Sequence, residues 1–542
     1  MKYINFKLIV IGLVLAVFNT GCESYLEEEN RSFLSLQNAS SDPKTFDQLV
    51  ASIYLRARET TTRYTGDMYY VLEDLGTDIV TRGTAIAGTS DLNDYVNFNS
   101  LNWAIGVYWE NQYSIISAAN ILIDNADNIQ GVAANTKTNG IAEAKFFRAM
   151  SYFNLVENYG GVPLVLNQVQ SPNTTYVRAT EEEVYTQIVK DLQDALSGTN
   201  ETSAVYGRIT KDAVRHLLSK VLLTRGYKTF AGATDFNDAA SYADTVIANH
   251  PLVPTFQSLV SIENQRNSEV IFSYLFGGNA LSAGWGNSRH MMYKFAFYDY
   301  PGFNRTVKGL GPMPTPFYYS LFADDDQRAE ATFTRILYAQ KPFVATVQGN
   351  PVNIAVGDTA IYFPKVAWTP EEIATKPYRV INPGTYFIND AITPVHYPMF
   401  KKFDDPTVPF TQPDQRSEGK RDMVIMRSGE AYLIAAEAYL KATNPNTAAT
   451  RLTTLRSRSG LTTPVPPSSV TLDFILDERA RELTGEVNRW MDLKRTGKLI
   501  ERTLLHNPHA AFNNALNTKN LLRPIPQSEI DRTSGAITQN PL

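Results

Sequence analysis

Flat aromatic rings flanked by glycines and by hydrogen-bonding side chains are the groups with the clearest binding chemistry in this chain. Trp285 lies among Gly277, Gly278, Gly284 and Gly286, and Arg289, Tyr298 and Tyr300 follow shortly after. Glycines on both sides let the backbone turn an indole outward. Its apolar face can then stack on a sugar ring while Arg or Asn reads hydroxyls. Turned inward, the same ring would plug the loop onto the body of the protein. Asn102-Trp103, expected in the loop before a helix carrying Trp109, has the same two readings.

Other reactive groups give less. No Gly-x-Ser-x-Gly elbow and no His-Glu-x-x-His motif occurs in the sequence. His506 and His509 are close, but Pro508 between them opposes the helical spacing that would converge two imidazoles on a metal. Glu181-Glu182-Glu183 reads as a helix first turn complementing the dipole. Asp324-Asp325-Asp326 reads as a solvated turn, since a calcium site needs more oxygen ligands than one run supplies. A carboxylate pair for glycoside hydrolysis has no local signature, because its two acids come from distant parts of a chain. No metal or other cofactor is implied.

The single cysteine is informative by its position. Lys2 and Lys7 precede an apolar run from Leu8 to Phe18, too short to span a bilayer, which ends at Asn19-Thr20-Gly21-Cys22. Small residues before a cysteine suit lipoprotein processing, in which the thiol is acylated and becomes the new N-terminus; the alternative is an ordinary signal peptide with a chance cysteine. Cys22 is the only cysteine, so the mature domain that follows it has no thiol for a disulfide, thiol catalysis or a Cys-ligated metal site. An acidic run, Glu23 to Glu29, and a polar stretch to Ser41 then read as a flexible tether. The formal charge of −5, or −7 without Lys2 and Lys7, leaves no basic footprint for nucleic acid.

The elements that must position these groups are mostly helices. Phe46, Leu49, Val50, Ile53 and Ala57 recur at three- and four-residue steps behind Asp42-Pro43. Similar stripes run through Trp109 to Ile123, through about 141–159 with a stop at Gly160-Gly161, behind a Thr180/Glu183 capping box, and after Thr210 and Phe236. They return at Arg427 to Ala442 and Thr447 to Arg458, closed by Gly460. The predicted fold class is mainly α: tetratricopeptide-like helix pairs in a degenerate solenoid that can stack in space across a break in sequence. From 251 to 426 the helical period gives way to a loop-rich region with short strands and helices, including a buried strand near Val270 to Phe276. Long loops carry function in most compact proteins, so the ligand-binding region is expected there.

Several strings together resemble the SusD/RagB family of starch-utilisation-type outer-membrane lipoproteins: AEAKFFRAMSYFNLVENYGGVPLV (Ala142 to Val165), YSLFADDDQRAEATF (Tyr319 to Phe333), RSGEAYLIAAEAYLKA (Arg427 to Ala442), DERARELTGEVNRWMDLKRTG (Asp477 to Gly497) and LLRPIPQSEIDRTSGAITQNPL (Leu521 to Leu542). The match departs at Val487, where Gly is usual after the Glu, and in the short end at Leu542. The resemblance implies a helical body, a loop-rich ligand-binding face, a lipid anchor at Cys22 on the outer membrane facing the exterior, and a SusC-like TonB-dependent transporter as partner. The acidic run resembles the surface-export tag of such lipoproteins. Ligand residues in this family vary with the ligand, so none carries over by motif. Glu143, Arg148, Glu437 and Arg427 read as helix contacts.

These readings combine into a signal peptide at 1–21, an acylated tether at 22–41, and one module at 42–542, divided into 42–250, 251–426 and 427–542. The expected function is capture of an oligosaccharide or polysaccharide and its delivery to the transporter without chemistry on the ligand. Expected contacts are Trp285, Trp103, Asn102, Arg289, Tyr298 and Tyr300. Peptide capture on the same fold, and a surface glycoside hydrolase, are the alternatives.

Overall fold

Six helices, Lys44–Glu59, Trp103–Asn125, Ala134–Tyr159, Glu181–Gly198, Lys211–Arg225 and Asp235–Asn249, each lie against the next in chain order. The computed structural model describes residues 40–60, 72–83, 90–277, 286–287, 289–294, 301–303, 312–388, 393–394, 396–405, 419–486 and 488–541. Cys22, Trp285, Val487, Tyr298 and Tyr300 lie outside the described residues. The last of the six helices packs on Ser428–Lys441, which packs on Pro445–Ser457. The stack therefore continues across the break of almost two hundred residues that interrupts it in sequence.

Local chemistry sets where these helices start and stop. Thr180 and Glu183 form the expected capping box. Gly160 ends Ala134–Tyr159 with φ 74°, a conformation that costs a side-chain-bearing residue about 1 kcal/mol or more. That helix starts earlier than its apolar stripe predicts and is buried nearly all round over its second half, through Phe146, Phe147, Tyr152, Phe153 and Tyr159. Its buried polar groups are satisfied by neighbours. Arg148 binds Asp191 with two bonds of 2.8 Å, and Glu143 receives Arg208 Nη2 at 2.8 Å and the Tyr54 hydroxyl at 2.6 Å.

The region 251–426 contains short elements, as expected. Val270–Tyr274 is a fully buried strand that pairs antiparallel with Met423–Arg427, directly ahead of the Ser428–Lys441 helix. Farther on, Phe343–Val347 and Asn350–Ile354 form a hairpin whose two connecting residues, Gln348 and Gly349, both have positive φ, as a type I′ turn requires. Leu337, Ile354, Ile361, Phe363, Tyr386 and Met399 make a second, smaller core beside it. No helix among the described residues is long and apolar enough to cross a membrane.

Asp326 departs from the sequence reading. It caps the Gln327–Thr332 helix, is buried, and holds Arg328 at 2.8 Å, so the acidic run is only partly a solvated turn. Arg328 joins a buried ionic cluster built on the Leu472–Leu483 helix. Glu478 and Glu482 lie four residues apart on this helix and so turn to one side, and Glu486 follows just beyond its end. Glu478 meets Arg328, Arg456 and Arg481 at 2.6–2.7 Å. Glu482 meets Arg427 at 2.7 Å, Arg328 at 3.2 Å, and Arg458. Glu486 meets Arg427 at 2.5 Å, and Lys402.

Burial alone would push these carboxyls up, but their cationic neighbours outweigh it, holding Glu478 and Glu486 down to about 2 and Glu482 below the usual carboxylate range. A folded-state pKa below the unfolded one gives stability that is fully present above the unfolded value and is lost as pH falls through the folded one. The melting temperature is therefore expected to fall steeply as pH drops from about 4.5 toward about 2. A melting temperature that stayed flat down to pH ~3 would show that these pairs contribute no net stability.

Candidate functional site

Asn102 and Trp103 open a helix, and that position divides their roles. Asn102 is the N-cap: its side-chain oxygen accepts the Ala104 N–H at 3.0 Å, and only 8% of the residue is exposed. This oxygen satisfies a helix-end amide. Trp103 is the first helical residue and is 42% exposed. Leu101 beside it is 76% exposed, so the helix start presents apolar surface to solvent.

The approach to this helix is fixed by buried groups. Tyr95, with φ 59°, donates its hydroxyl to the Gly76 carbonyl at 2.6 Å. Asp94 just before it binds Arg82 at 3.0 Å, and Arg82 pairs with Pro312 in the two-stranded ladder Val80–Arg82/Pro312–Pro314. Lys294 and Pro301 are the described residues flanking the segment that carries Tyr298 and Tyr300.

Arg289 is inside the protein. It is 4% exposed, with its guanidinium 4.7 Å from the centre of the Phe403 ring. It lines a cavity of about 40 Å³ with Lys402, Arg421 and Glu486, room for little more than one water and not for a sugar ring. His506 stacks on Phe317 at 3.6 Å while His509 Nδ1 meets the Thr81 hydroxyl at 2.7 Å, so the two imidazoles serve different contacts. Among the described residues no group of His, Cys, Asp and Glu side chains could hold a metal ion.

A roomy cleft lies where the sequence offered no reason to expect one. It has a volume of about 530 Å³ and runs between the Trp103–Asn125 helix, the segment 163–176 and the C-terminal segment 529–537. Segment 163–176 has no regular structure, so side chains from the helices take up its backbone groups. Tyr113 donates to Pro163 O at 2.8 Å, Asn120 to Val165 O at 2.8 Å, and Tyr152 exchanges bonds with both Val165 N and O. Trp109, Tyr113 and Tyr176 line the cleft, with Glu110 and Arg532 on its rim. The polar run Pro172-Asn173-Thr174-Thr175-Tyr176, ending on an aromatic, was the available sequence signal.

A family model for the SusD family matches residues 264–542, just over half of the chain. The chain belongs to the SusD family. A second model, described as starch-binding associating with outer membrane, matches residues 24–223. SusD-like protein P25 of Formosa agariphila is 23% identical over 519 residues, covering 91% of this chain and 90% of that protein. A SusD-like protein of Bacteroides ovatus is 32% identical over 173 residues, 30% of this chain and 32% of its own length. Among solved structures, a laminarin binding SusD-like protein superposes with a TM-score of 0.68 at 22% identity, covering 92% of this chain and 99% of that one. Surface glycan-binding protein A from Bacteroides thetaiotaomicron in complex with laminarihexaose gives the same TM-score and coverage at 19% identity.

In this SusD-family chain the strings that carry the resemblance hold the fold together. Arg479 binds Asp492 at 2.7 Å, Arg489 binds Asp78 at 2.7 Å, and Arg495 binds Glu437 at 2.8 Å. The C-terminal string closes on the end of the central helix. Asn540 donates to Tyr159 O at 3.0 Å and Arg523 O at 2.8 Å, and Gln539 both accepts from and donates to the Ile525 backbone. Closing there also forms one wall of the cleft.

Proposed function

We propose that this SusD-family protein is an outer-membrane lipoprotein that binds an oligosaccharide or polysaccharide and passes it, unaltered, to a SusC-like TonB-dependent transporter. The observation that carries this reading is the half-exposed Trp103 at the start of a rigidly capped helix, in a fold shared with proteins named for laminarin and glycan binding. In the same proposal the chain consists of a signal peptide at 1–21, a tether acylated at Cys22 and running to 41, and one module at 42–542. Trp285, Tyr298 and Tyr300 are proposed to complete the aromatic contacts.

Among the described residues, the two carboxyls that burial pushes up, Asp74 and Glu269, favour a binder over a glycoside hydrolase, since both are buried and line none of the clefts above. A glycosidase acid needs a raised pKa beside an open cleft. Burial pushes Asp74 up to about 6 against the lowering effect of the Tyr293 hydroxyl at 2.7 Å, and of Arg289 and Arg489, but Asp74 is 1% exposed and lines none of the clefts above.

Covering about 100 Å² of the Trp103 ring at about 25 cal/mol per Å² is worth about 2.5 kcal/mol before ordering costs. Trp103→Ala is expected to weaken laminarin or starch-oligosaccharide binding by about ten- to hundred-fold with little change in melting temperature. Titration calorimetry with laminarihexaose and maltohexaose measures this. Unchanged affinity together with a lower melting temperature would assign Trp103 to packing instead, and cleavage of either sugar would overturn the non-enzymatic reading. The transporter proposal is tested by recovering a barrel of that class with the tagged protein in mild detergent. Repeated recovery of the lipoprotein alone, with the transporter co-expressed, would count against it.

A further inference from the structure

The cleft beside the C-terminal helix is built for a ligand of its own. We propose that it is a second carbohydrate site, separate from the Trp103 surface, that holds a short run of neutral hexopyranose rings; the inference rests on the glycan-binding reading above.

Its aromatic floor is pre-arranged. Tyr113 has its hydroxyl committed to Pro163 O at 2.8 Å, its ring tilted against Trp109 at 5.1 Å, and Tyr152 edge-on at 6.5 Å. A ring held this way meets a sugar face without losing rotamer freedom. Tyr176 adds a second, half-buried ring from the facing segment. Because side chains from the helices hold the backbone of that segment at several points, the facing wall is fixed as well.

Hydrogen-bonding capacity is left over around these rings. The Ser117, Thr174 and Tyr176 hydroxyls make no hydrogen bond to other described residues, and Asn173 spends its oxygen on Thr175 while its amide NH₂ stays uncommitted. An apolar floor with a few convergent hydroxyls and an amide matches a sugar ring, which is apolar on its faces and hydroxylated at its edge. Charge decides against an anionic ligand. Arg532 is the cation at the cleft and is already bound to Glu529 at 2.6 Å, with Glu110 at 3.5 Å, so carboxylates outnumber it.

The two sites also line up. Trp103 and Glu110 are seven residues apart on one helix, so they share a face about 10 Å from end to end. The short helix Gln527–Arg532 runs alongside, with Gln527 N–H on Ser100 O at 3.0 Å and Arg532 near Glu110. A polysaccharide reaching both sites would gain avidity without further contacts.

The test uses the full mature chain. Calorimetry with laminarihexaose and maltohexaose on the wild type should give two sites per chain for at least one of them. The double variant Asn173→Ala/Tyr176→Ala should leave one site, and Ser117→Trp, which fills the cleft, should do the same. Retention of laminarin or starch in affinity gels should fall about tenfold or more in either variant. Two sites surviving both changes, or one site that disappears with Trp103→Ala alone, would overturn this inference and leave the glycan-binding reading standing. Loss of the second site for a peptide digest rather than for the glucans would reassign the cleft to peptide and overturn it as well. Failure of the wild type to bind either glucan would overturn both readings.

Discussion

The Glu482→Ala protein is expected to lose about 3–5 kcal/mol of stability, the scale seen when one member of a buried ion-paired group is removed. Glu482 is fully buried and holds Arg427, Arg458 and Arg328 together. Without its carboxylate three guanidiniums remain out of water, close to one another and short of counter-charge. Some of that charge is still met by Glu269, Asp326, Glu478 and Glu486, which bounds the loss. Urea unfolding and the melting temperature of both proteins provide the measurement. Glu482→Gln, which keeps the shape and one acceptor oxygen, should lose less. A change below about 1 kcal/mol in Glu482→Ala would mean that the desolvation cost of the cluster already cancels its attraction.

The location of that cluster makes the effect matter beyond stability. Arg427 ends the strand Met423–Arg427, whose partner is Val270–Tyr274, and leads directly into the Ser428–Lys441 helix. Arg328 and Lys402 belong to the loop-rich region, and Glu478, Glu482 and Glu486 to the closing part. The cluster is therefore a point at which the non-repeating loops are fastened to the helical stack.

Cys22→Ala is expected to move the protein from the membrane fraction to the soluble fraction. Each buried methylene of an acyl chain is worth about 0.8 kcal/mol, so several chains on one cysteine anchor stably where one would not. The apolar run Leu8 to Phe18 is too short to substitute by spanning the bilayer, and no helix among the described residues could do so. Fractionation of cells expressing each form, with intact mass of the wild type, reads both the position and the acyl mass. A mutant that stayed with the membrane beside a wild type of unmodified mass would remove the lipid anchor from the proposal.

What the sequence alone determined is what neighbours in the chain settle among themselves. Apolar steps of three and four residues, the Thr180/Glu183 capping box and the stops at Gly160 and Gly460 give helices whose existence and order were legible, because these interactions close within one or two turns. Arg148 and Glu143 were legible as structural because they belong to a string that carries the family resemblance. Their partners were not, since Asp191 and Arg208 are brought in by later helices. Glu437 likewise meets Arg495 while Arg427 turns to Glu482 and Glu486. Asn102 and Arg289 show the same limit at the site. Each has the side chain of a ligand contact, and each is used inside the protein, by a helix-end amide or against Phe403. The cleft was least legible of all, because its walls come from 109–120, 163–176 and 529–537. Periodicity records which face of an element is apolar; which distant element covers that face, and where a gap is left uncovered, is decided only when the chain packs.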